Sequence, residues 1–203
     1  MTYDISRDLY ILQAMVEPFE AYLISNELFW PLYGNLREGM PRLTIGGYLL
    51  RRHRLTALRD LMDADQQSAL DAALATLEGI KAEWTLHYFQ KLEQDWHMRL
   101  HLLQEFLRDC QEIHRGDCFE SWPPHAEHRT VAHHLLAEWQ DHTSDLKTQK
   151  AELHRIDNGL RQHLLSGETG HFLWSAALQP AYPRETFWWL WVVPSEDNEE
   201  PSA

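Results

Sequence analysis

Apolar residues recur at alternating steps of four and three along the first 30 residues of the chain. The positions are Ile5, Leu9, Leu12, Val16, Phe19, Leu23 and Trp30, with Asn26 as the one polar member of the series. This spacing predicts an amphipathic helix with a seam typical of a coiled coil. Because Pro18 lies inside the series, we expect the helix to kink there or to restart with Pro18 in its first turn.

Helical spacing also dominates the middle of the chain. A short helix is predicted from about Tyr48 to Met62, and a second helical stretch continues to about Ile113, opened by a capping box of Asp63 and Gln66. Unbroken, this stretch would be about 70 Å long at 1.5 Å per residue. A compact domain of this size is only about 43 Å across. We therefore expect a bend or break, with Gly79 as the predicted position.

The last third of the chain changes character. Gly116, Pro123 and Pro124 are expected to end the preceding helical section, and another long helix is predicted for residues 126–165. From His171 onward the sequence is rich in proline and aromatic residues and follows neither the helical nor the strand period. The pattern predicts an all-α fold: an elongated antiparallel bundle with one or two very long helices and an irregular aromatic C-terminal segment. Residues 1–194 form one predicted domain, and residues 195–203 a disordered acidic tail.

Composition narrows the possible functions. The 203 residues carry a formal net charge of −13, which argues against general nucleic-acid binding because phosphate neutralisation requires excess Lys and Arg. No apolar stretch is long enough to cross a bilayer, and the first residues do not resemble a secretory signal. Two cysteines do not make a disulfide framework. The expectation is a cytoplasmic protein with reduced thiols and no membrane contact.

Four charged residues fall on faces that the periodicity assigns to the core. Asp95 and Arg99 lie in the apolar sector of their helix, and Arg51 and Arg54 lie among buried leucines of the shorter one. A buried charge requires a partner, since burying a lone one costs several kcal/mol. One interpretation is an internal ion pair of Asp95 with Arg99 or with an arginine of the short helix. The other is an arginine-lined pocket for a phosphate or carboxylate, which guanidinium groups bind well.

The 13 histidines raise the possibility of a metal site. His142 falls inside the apolar stripe of the last predicted helix, where a single hydrogen-bonded core histidine is the competing interpretation. Cys110, His114 and Cys118 are spaced i, i+4, i+8, and their donor types suit zinc. Their spacing matches no standard structural zinc pattern, however. We therefore predict no cofactor and keep these four residues as weak metal-ligand candidates.

A run of seven apolar residues, FWWLWVV, precedes the acidic tail. It contains Phe187, Trp188, Trp189 and Trp191, and it is followed by acidic rather than basic residues, so anionic lipid would repel it. The run is apolar on every face and must be buried on more than one side. We predict a strap that closes the helical bundle, either on its own helices or across a dimer interface.

The sequence contains no recognised catalytic motif: no nucleophile elbow, phosphate loop, dinucleotide fingerprint or zinc-protease motif. The predicted function is therefore non-enzymatic, in assembly or protein–protein interaction as a homodimer. The alternative is a small-anion- or metal-binding bundle that uses an interior cluster of Arg, Asp and His.

Overall fold

A computed structural model of the chain describes residues 3–36, 39–112, 115–143 and 145–193. The described residues are mostly helical, which confirms the predicted all-α class. The helices are α1 (Ile5–Val16), α2 (Phe19–Ile24), α3 (Ile45–Ala57), α4 (Ala64–Glu83), α5 (Thr85–Glu112), α6 (Arg115–Gln140) and α7 (Lys147–His163).

Two small antiparallel pairs of strands supplement the helices. Strand β1 (Trp30–Pro31) pairs with β2 (Arg42–Leu43), and β3 (Leu165–Phe172) pairs with β4 (Trp191–Val193), with an irregular register between Ser166 and His171. Short 3₁₀ turns lie at Arg59–Leu61, Ala176–Ala181 and Trp188–Leu190. The second sheet brings the aromatic run back beside the chain that leaves α7.

The N-terminal helix restarts at Pro18, as one of the two expectations had it. Helix α1 ends at Val16 and α2 begins at Phe19, because the proline ring has no N–H to donate to the preceding turn. Helix α2 ends at Ile24, so the predicted seam does not continue to Asn26, which is exposed, or to Trp30, which lies in β1. The seam therefore describes two short helices and not a continuous coiled coil over this segment.

The middle helical stretch breaks at Trp84. The break predicted at Gly79 is therefore wrong. The capping box of Asp63 and Gln66 opens α4 as predicted, and α4 runs through Gly79, which is exposed and has nothing near the position of a Cβ. At the break, the hydroxyl of Thr85 donates to the carbonyls of Lys81 and Ala82 at 3.0 Å. The Thr85 side chain thus satisfies backbone carbonyls in the last turn of α4, and the helix ends there and not at Gly79.

The predicted helix over residues 126–165 is also wrong in its bounds. Helix α6 includes Pro123 and Pro124, which are both exposed, and it ends at Gln140, with α7 beginning only at Lys147. The indole of Trp122 donates to the carbonyl oxygen of Trp189 at 3.0 Å and fixes this part of α6 to the aromatic run. Tertiary contact therefore holds a helix through two prolines that sequence rules treat as a stop.

Helix α3 is central to the molecule, packing against α1, α5 and α6. Its first turn approaches α5 and α6 closely at Gly46, where a Cβ would overlap the side chain of Val131 and lie 2.8 Å from Asp95 Oδ2. Only glycine fits this position. The close approach brings the arginines of α3 near α1 and sets the amides of its first turn beside Asp95.

A disulfide joins Cys110 near the end of α5 to Cys118 in α6, and both residues are buried. This differs from the expected pair of reduced thiols. Two cysteines are too few to predict a disulfide framework from the sequence, but the packing of α5 against α6 places their Cα atoms 5.2 Å apart. None of the helices in the described part of the chain combines the length and hydropathy of a membrane span. The predicted acidic tail, residues 195–203, lies outside the described residues.

Candidate anion-binding site

Arg51 and Arg54 lie on one side of α3, because residues three apart in a helix are neighbours. The helix begins after Thr44, whose hydroxyl oxygen accepts a hydrogen bond from the Gly47 amide at 2.9 Å. The side chains of Arg51 and Arg54 are only 12% and 11% exposed. Both charges are thus largely removed from water, as the periodicity predicted, and both need compensation.

Their common counter-ion is Asp8 of α1. Nε of Arg51 lies 3.5 Å from Asp8 Oδ1, and Nη1 of Arg54 lies 3.8 Å from Asp8 Oδ2. Both distances exceed the 2.7–3.2 Å that is usual for an N–H···O hydrogen bond. The hydroxyl of Tyr3 donates to Asp8 Oδ2 at 2.9 Å. Two cations therefore share one carboxylate that is already hydrogen-bonded to a phenol.

The two arginines differ in how well they are satisfied. Arg54 donates from Nε to the Tyr182 hydroxyl at 3.0 Å, and its guanidinium lies over the Trp174 ring at 4.7 Å. Arg51 donates from Nη1 to the carbonyl oxygen of Gly47 at 2.9 Å, but its buried Nε has no hydrogen-bond partner among the described residues. Burial lowers the pKa of Arg51 and Arg54 adds to this effect, although Asp8 opposes it. A guanidinium nevertheless stays charged at neutral pH, so Arg51 is an incompletely paired cation.

A cavity of about 560 Å³ lies beside these two arginines and is called the arginine cavity below. Its wall combines charged groups from α1, α3 and α6 with apolar groups from α1 and from the segment after β3. The lining residues are Tyr3, Asp4, Arg7, Asp8, Ile11, Arg51, Arg54, Glu127, Leu173, Trp174, Ser175 and Leu178. The volume lies in the range of small-molecule sites.

Asp95 and Arg99 form a separate, closed network. Arg99 Nε donates to Asp95 Oδ1 at 2.9 Å, and the backbone amide of Gly46 donates to Asp95 Oδ2 at 2.6 Å. Asp95 is fully buried, and its charge also lies at the N-terminus of α3, where the helix dipole favours an anion. Both of its oxygens therefore have short hydrogen bonds.

The other two nitrogens of Arg99 have a partner each, although the contact of Nη2 is longer than a usual hydrogen bond. Nη1 donates to His128 Nδ1 at 2.9 Å and Nη2 lies 3.4 Å from the hydroxyl oxygen of Thr44. Since a guanidinium only donates, Nδ1 of His128 must accept and its ring must be neutral. Burial lowers the pKa of His128 to about 4, and the positive charge of Arg99 is the second largest cause of this shift. The structure thus divides the four predicted interior charges into a closed network around Asp95 and Arg99 and an open one at Arg51 and Arg54.

The weak metal candidates do not come together. His142 lies beyond the end of α6, is exposed, and stacks on Phe89 with ring centroids 3.8 Å apart. Cys110 and Cys118 share a disulfide and so present no thiolate, and His114 lies outside the described residues. Within the described ranges, no group of three or more His, Cys, Asp and Glu side chains is arranged to hold a metal ion.

The aromatic run packs on the chain's own helices. Phe187, Trp188 and Trp189 are buried, and Trp191 is partly buried. Trp189 donates from Nε1 to the hydroxyl of Thr130 at 2.9 Å. Arg129 of α6 lies over the Trp189 ring at 3.7 Å, and Arg161 of α7 lies over Trp188 at 3.8 Å. Burial of the run within one chain leaves it little surface with which to cover a second subunit.

Several residues of the arginine cavity escaped sequence reasoning. Asp8 was not recognised as buried because the seam was drawn through Leu9, although Asp8 lies four residues before Leu12 and so shares its face. The spacing of Asp8 and Leu12 was the one feature of the sequence that indicated a buried Asp8. Trp174 and Glu127 gave none, since they join the site only through the path of the C-terminal segment and the packing of α6.

No family model, curated protein or solved structure matches this chain.

Proposed function

We propose that this protein binds a small organic anion in the arginine cavity. The observation that carries the proposal is the incomplete pairing of Arg51 and Arg54. Two largely buried guanidinium groups share one carboxylate at 3.5 and 3.8 Å, and one buried N–H has no acceptor among the described residues. A carboxylate or phosphate oxygen placed in the cavity would supply a further acceptor to these guanidinium groups.

The charges of the wall limit the ligand to one anionic group. Arg7, Arg51 and Arg54 bring three positive charges, while Asp4, Asp8 and Glu127 bring three negative ones. The sum is zero, so a polyanion such as a nucleoside triphosphate would be repelled by three carboxylates. The anionic part of the ligand should therefore be a single carboxylate or phosphate monoester that lies near the arginines of the cavity.

The rest of the ligand should be apolar. Ile11, Leu173 and Leu178 line the cavity together with Trp174, whose ring lies against the Arg54 guanidinium. Sites of this volume are usually apolar with a few polar groups that fix orientation. An aryl or short alkyl carboxylate, or an aryl phosphate, combines the two requirements.

Binding can be tested by calorimetry and thermal shift with benzoate, octanoate, phenyl phosphate and inorganic phosphate. Benzamide, which resembles benzoate but lacks its charge, is the matched ligand control. We expect at least one organic anion to bind with 1:1 stoichiometry and to raise the melting temperature. Benzamide should neither bind nor raise the melting temperature. Inorganic phosphate should bind more weakly than the organic anions, because it has no apolar group.

Variants link binding to the arginines. In Arg51→Gln we expect affinity to fall by about 10-fold or more, since a hydrogen bond to a charged group contributes about 1.5–3 kcal/mol. Arg108→Gln changes an exposed arginine of α5 and should leave affinity unchanged. Equal binding of benzoate and benzamide, or full affinity in an Arg51→Gln/Arg54→Gln double variant, would reject the proposal.

The predictions of a homodimer, a protein partner and a cytoplasmic location stay predictions, as does the arrangement of the helices as one elongated antiparallel bundle. The dimer was inferred from the aromatic run, whose burial by α6 and α7 weakens that argument. A cytoplasmic location has to be reconciled with the disulfide, since disulfides persist mainly in oxidising compartments. Native mass spectrometry would report the number of subunits and any retained anion together.

A further inference from the structure

A second cavity, of about 540 Å³, lies on another side of α3, between that helix, α4 and α6. Its polar residues include His53 and Thr56 of α3, His134 and Glu138 of α6, and Asp141 just beyond α6. Leu49 and Leu74 supply apolar wall. We call it the histidine cleft. It shares no lining residue with the arginine cavity.

His134 is the least satisfied group in the histidine cleft. The residue is 8% exposed, and its Nε2 is buried without a hydrogen-bond partner among the described residues. Burial, and then the neighbouring His53 and His133, lower the pKa of His134 to about 2. The ring is therefore neutral and offers one donor or one acceptor without charge. Leaving such a buried group unpaired is unfavourable, and a ligand that pairs with it removes this cost.

His53 stands beside it, with ring centroids 4.5 Å apart. Its Nε2 lies 2.6 Å from the carbonyl oxygen of Ala181. Because a carbonyl only accepts, Nε2 must carry the proton, and Nδ1 of His53 is left as an acceptor. Burial also lowers the pKa of His53, so this ring too is neutral at physiological pH. The cleft thus presents two adjacent neutral imidazoles.

Glu138, the buried carboxylate of the cleft, is already paired with the partly exposed Arg52 and Lys81. Glu138 accepts hydrogen bonds from Arg52 and Lys81 at 2.5 Å and from the Tyr88 hydroxyl at 3.0 Å. Arg52 also donates to Glu78 at 3.0 Å. This differs from the arginine cavity, where a cation lacks a full complement of acceptors. An ionic ligand would have to break these pairs, whereas a neutral ligand would not.

We propose that the histidine cleft binds a neutral polyhydroxylated molecule of about monosaccharide size. A hydroxyl both donates and accepts, so it can satisfy Nδ1 of His53 and Nε2 of His134 whichever role the latter takes. The exposed carboxylate of Asp141 accepts further hydroxyls at the cleft entrance. Leu49 and Leu74 pack against the C–H groups of the same molecule.

Saturation-transfer NMR with glucose, galactose, ribose and mannitol, each at millimolar concentration, tests this proposal. We expect signal from at least one of them with the wild-type protein. His134→Phe removes the ring nitrogens and fills space, and should weaken binding by at least 10-fold. His97→Phe, a change at an exposed histidine of α5, should leave binding unchanged.

A second variant covers the case in which His134→Phe does not fold. Thr56 is exposed at the cleft, so Thr56→Trp should obstruct the cleft without disturbing the core, and it should abolish the signal. Absence of signal from all four polyols would overturn the proposal, as would equal signal in wild type and Thr56→Trp. Binding of only Zn²⁺ or spermidine, tested in parallel, would also overturn it, because the ligand would then be a cation.

Discussion

The Asp95–Arg99 network and the network of Asp8 with Arg51 and Arg54 are buried to a similar extent, but they differ in how many of their charged groups have close hydrogen-bond partners. In the network of α5, both oxygens of Asp95 accept short hydrogen bonds, and Arg99 has a partner for each of its nitrogens. In the network of α1 and α3, one carboxylate serves two guanidinium groups at longer distances. A closed network holds helices in register, whereas an open one beside a cavity retains capacity for a ligand. Burial of a charge therefore indicates a candidate site, and the count of its partners distinguishes structure from binding.

The largest expected effect follows from removing the centre of the closed network. Asp95→Ala leaves Arg99 buried without its carboxylate and removes the acceptor of the Gly46 amide, so we expect a loss of about 3–5 kcal/mol in the free energy of unfolding. Urea denaturation measures it. Glu93→Ala, at an exposed position of the same helix, should change stability by less than about 0.5 kcal/mol. A loss equally small for Asp95→Ala would mean that the network contributes nothing.

The disulfide connects the two helices that carry the closed network. Cys110 lies on α5 with Asp95 and Arg99, and Cys118 lies on α6 with His128. Opening this bridge frees a short loop in the unfolded chain, so Cys118→Ser should lower the free energy of unfolding by about 2–3 kcal/mol. Anion affinity at the arginine cavity should be unaffected. A thiol assay that finds two free thiols in the unfolded, unreduced protein would contradict the bridge itself.

Asp8→Asn should act in opposite directions on stability and on binding. The amide keeps the shape of the side chain but removes the shared counter-charge, so we expect a loss of about 1–2 kcal/mol in the absence of ligand. With the competing carboxylate neutralised, affinity for an organic anion should rise about 3- to 10-fold. Calorimetry on Asp8→Asn and on Glu17→Gln, an exposed control, measures the difference. Weaker anion binding in Asp8→Asn would show that the carboxylate orients the arginines for the ligand.

Acid should weaken the closed network gradually. His128 has a folded-state pKa of about 4 against an ordinary value of 6.5, and it faces Arg99, His125 and Asp95. Between pH 6.5 and 4 the unfolded chain binds a proton at His128 that the folded chain does not, so stability is retained above this window and falls as the pH drops through it. Melting temperatures at pH 7, 6, 5 and 4 follow this change. The slope should be shallower in His128→Gln, and an identical slope would assign the acid sensitivity to other groups, such as His133, whose pKa is also lowered to about 4.

Local patterns predicted local structure well in this protein. The capping box of Asp63 and Gln66 needs only residues three apart, and the restart at Pro18 follows from a missing N–H. The burial of Asp95 and Arg99 follows from the helical period, which also places them one turn apart, although the sequence left open whether Arg99 or an arginine of the short helix would pair with Asp95. Each of these predictions depends on interactions within one or two turns.

What lay beyond the sequence were interactions between segments far apart in the chain. The sequence determined that Arg51 and Arg54 would be buried on one face of a helix, because the apolar period of that helix places them there. Only the tertiary structure decided that Asp8, more than 40 residues earlier, would be their counter-ion, and that Trp174 would lie against Arg54. It also decided that α6 would continue through Pro123 and Pro124, which Trp122 holds against the aromatic run. Helical periodicity specifies which face of each helix turns inward, but the residue it meets there depends on how every other helix packs.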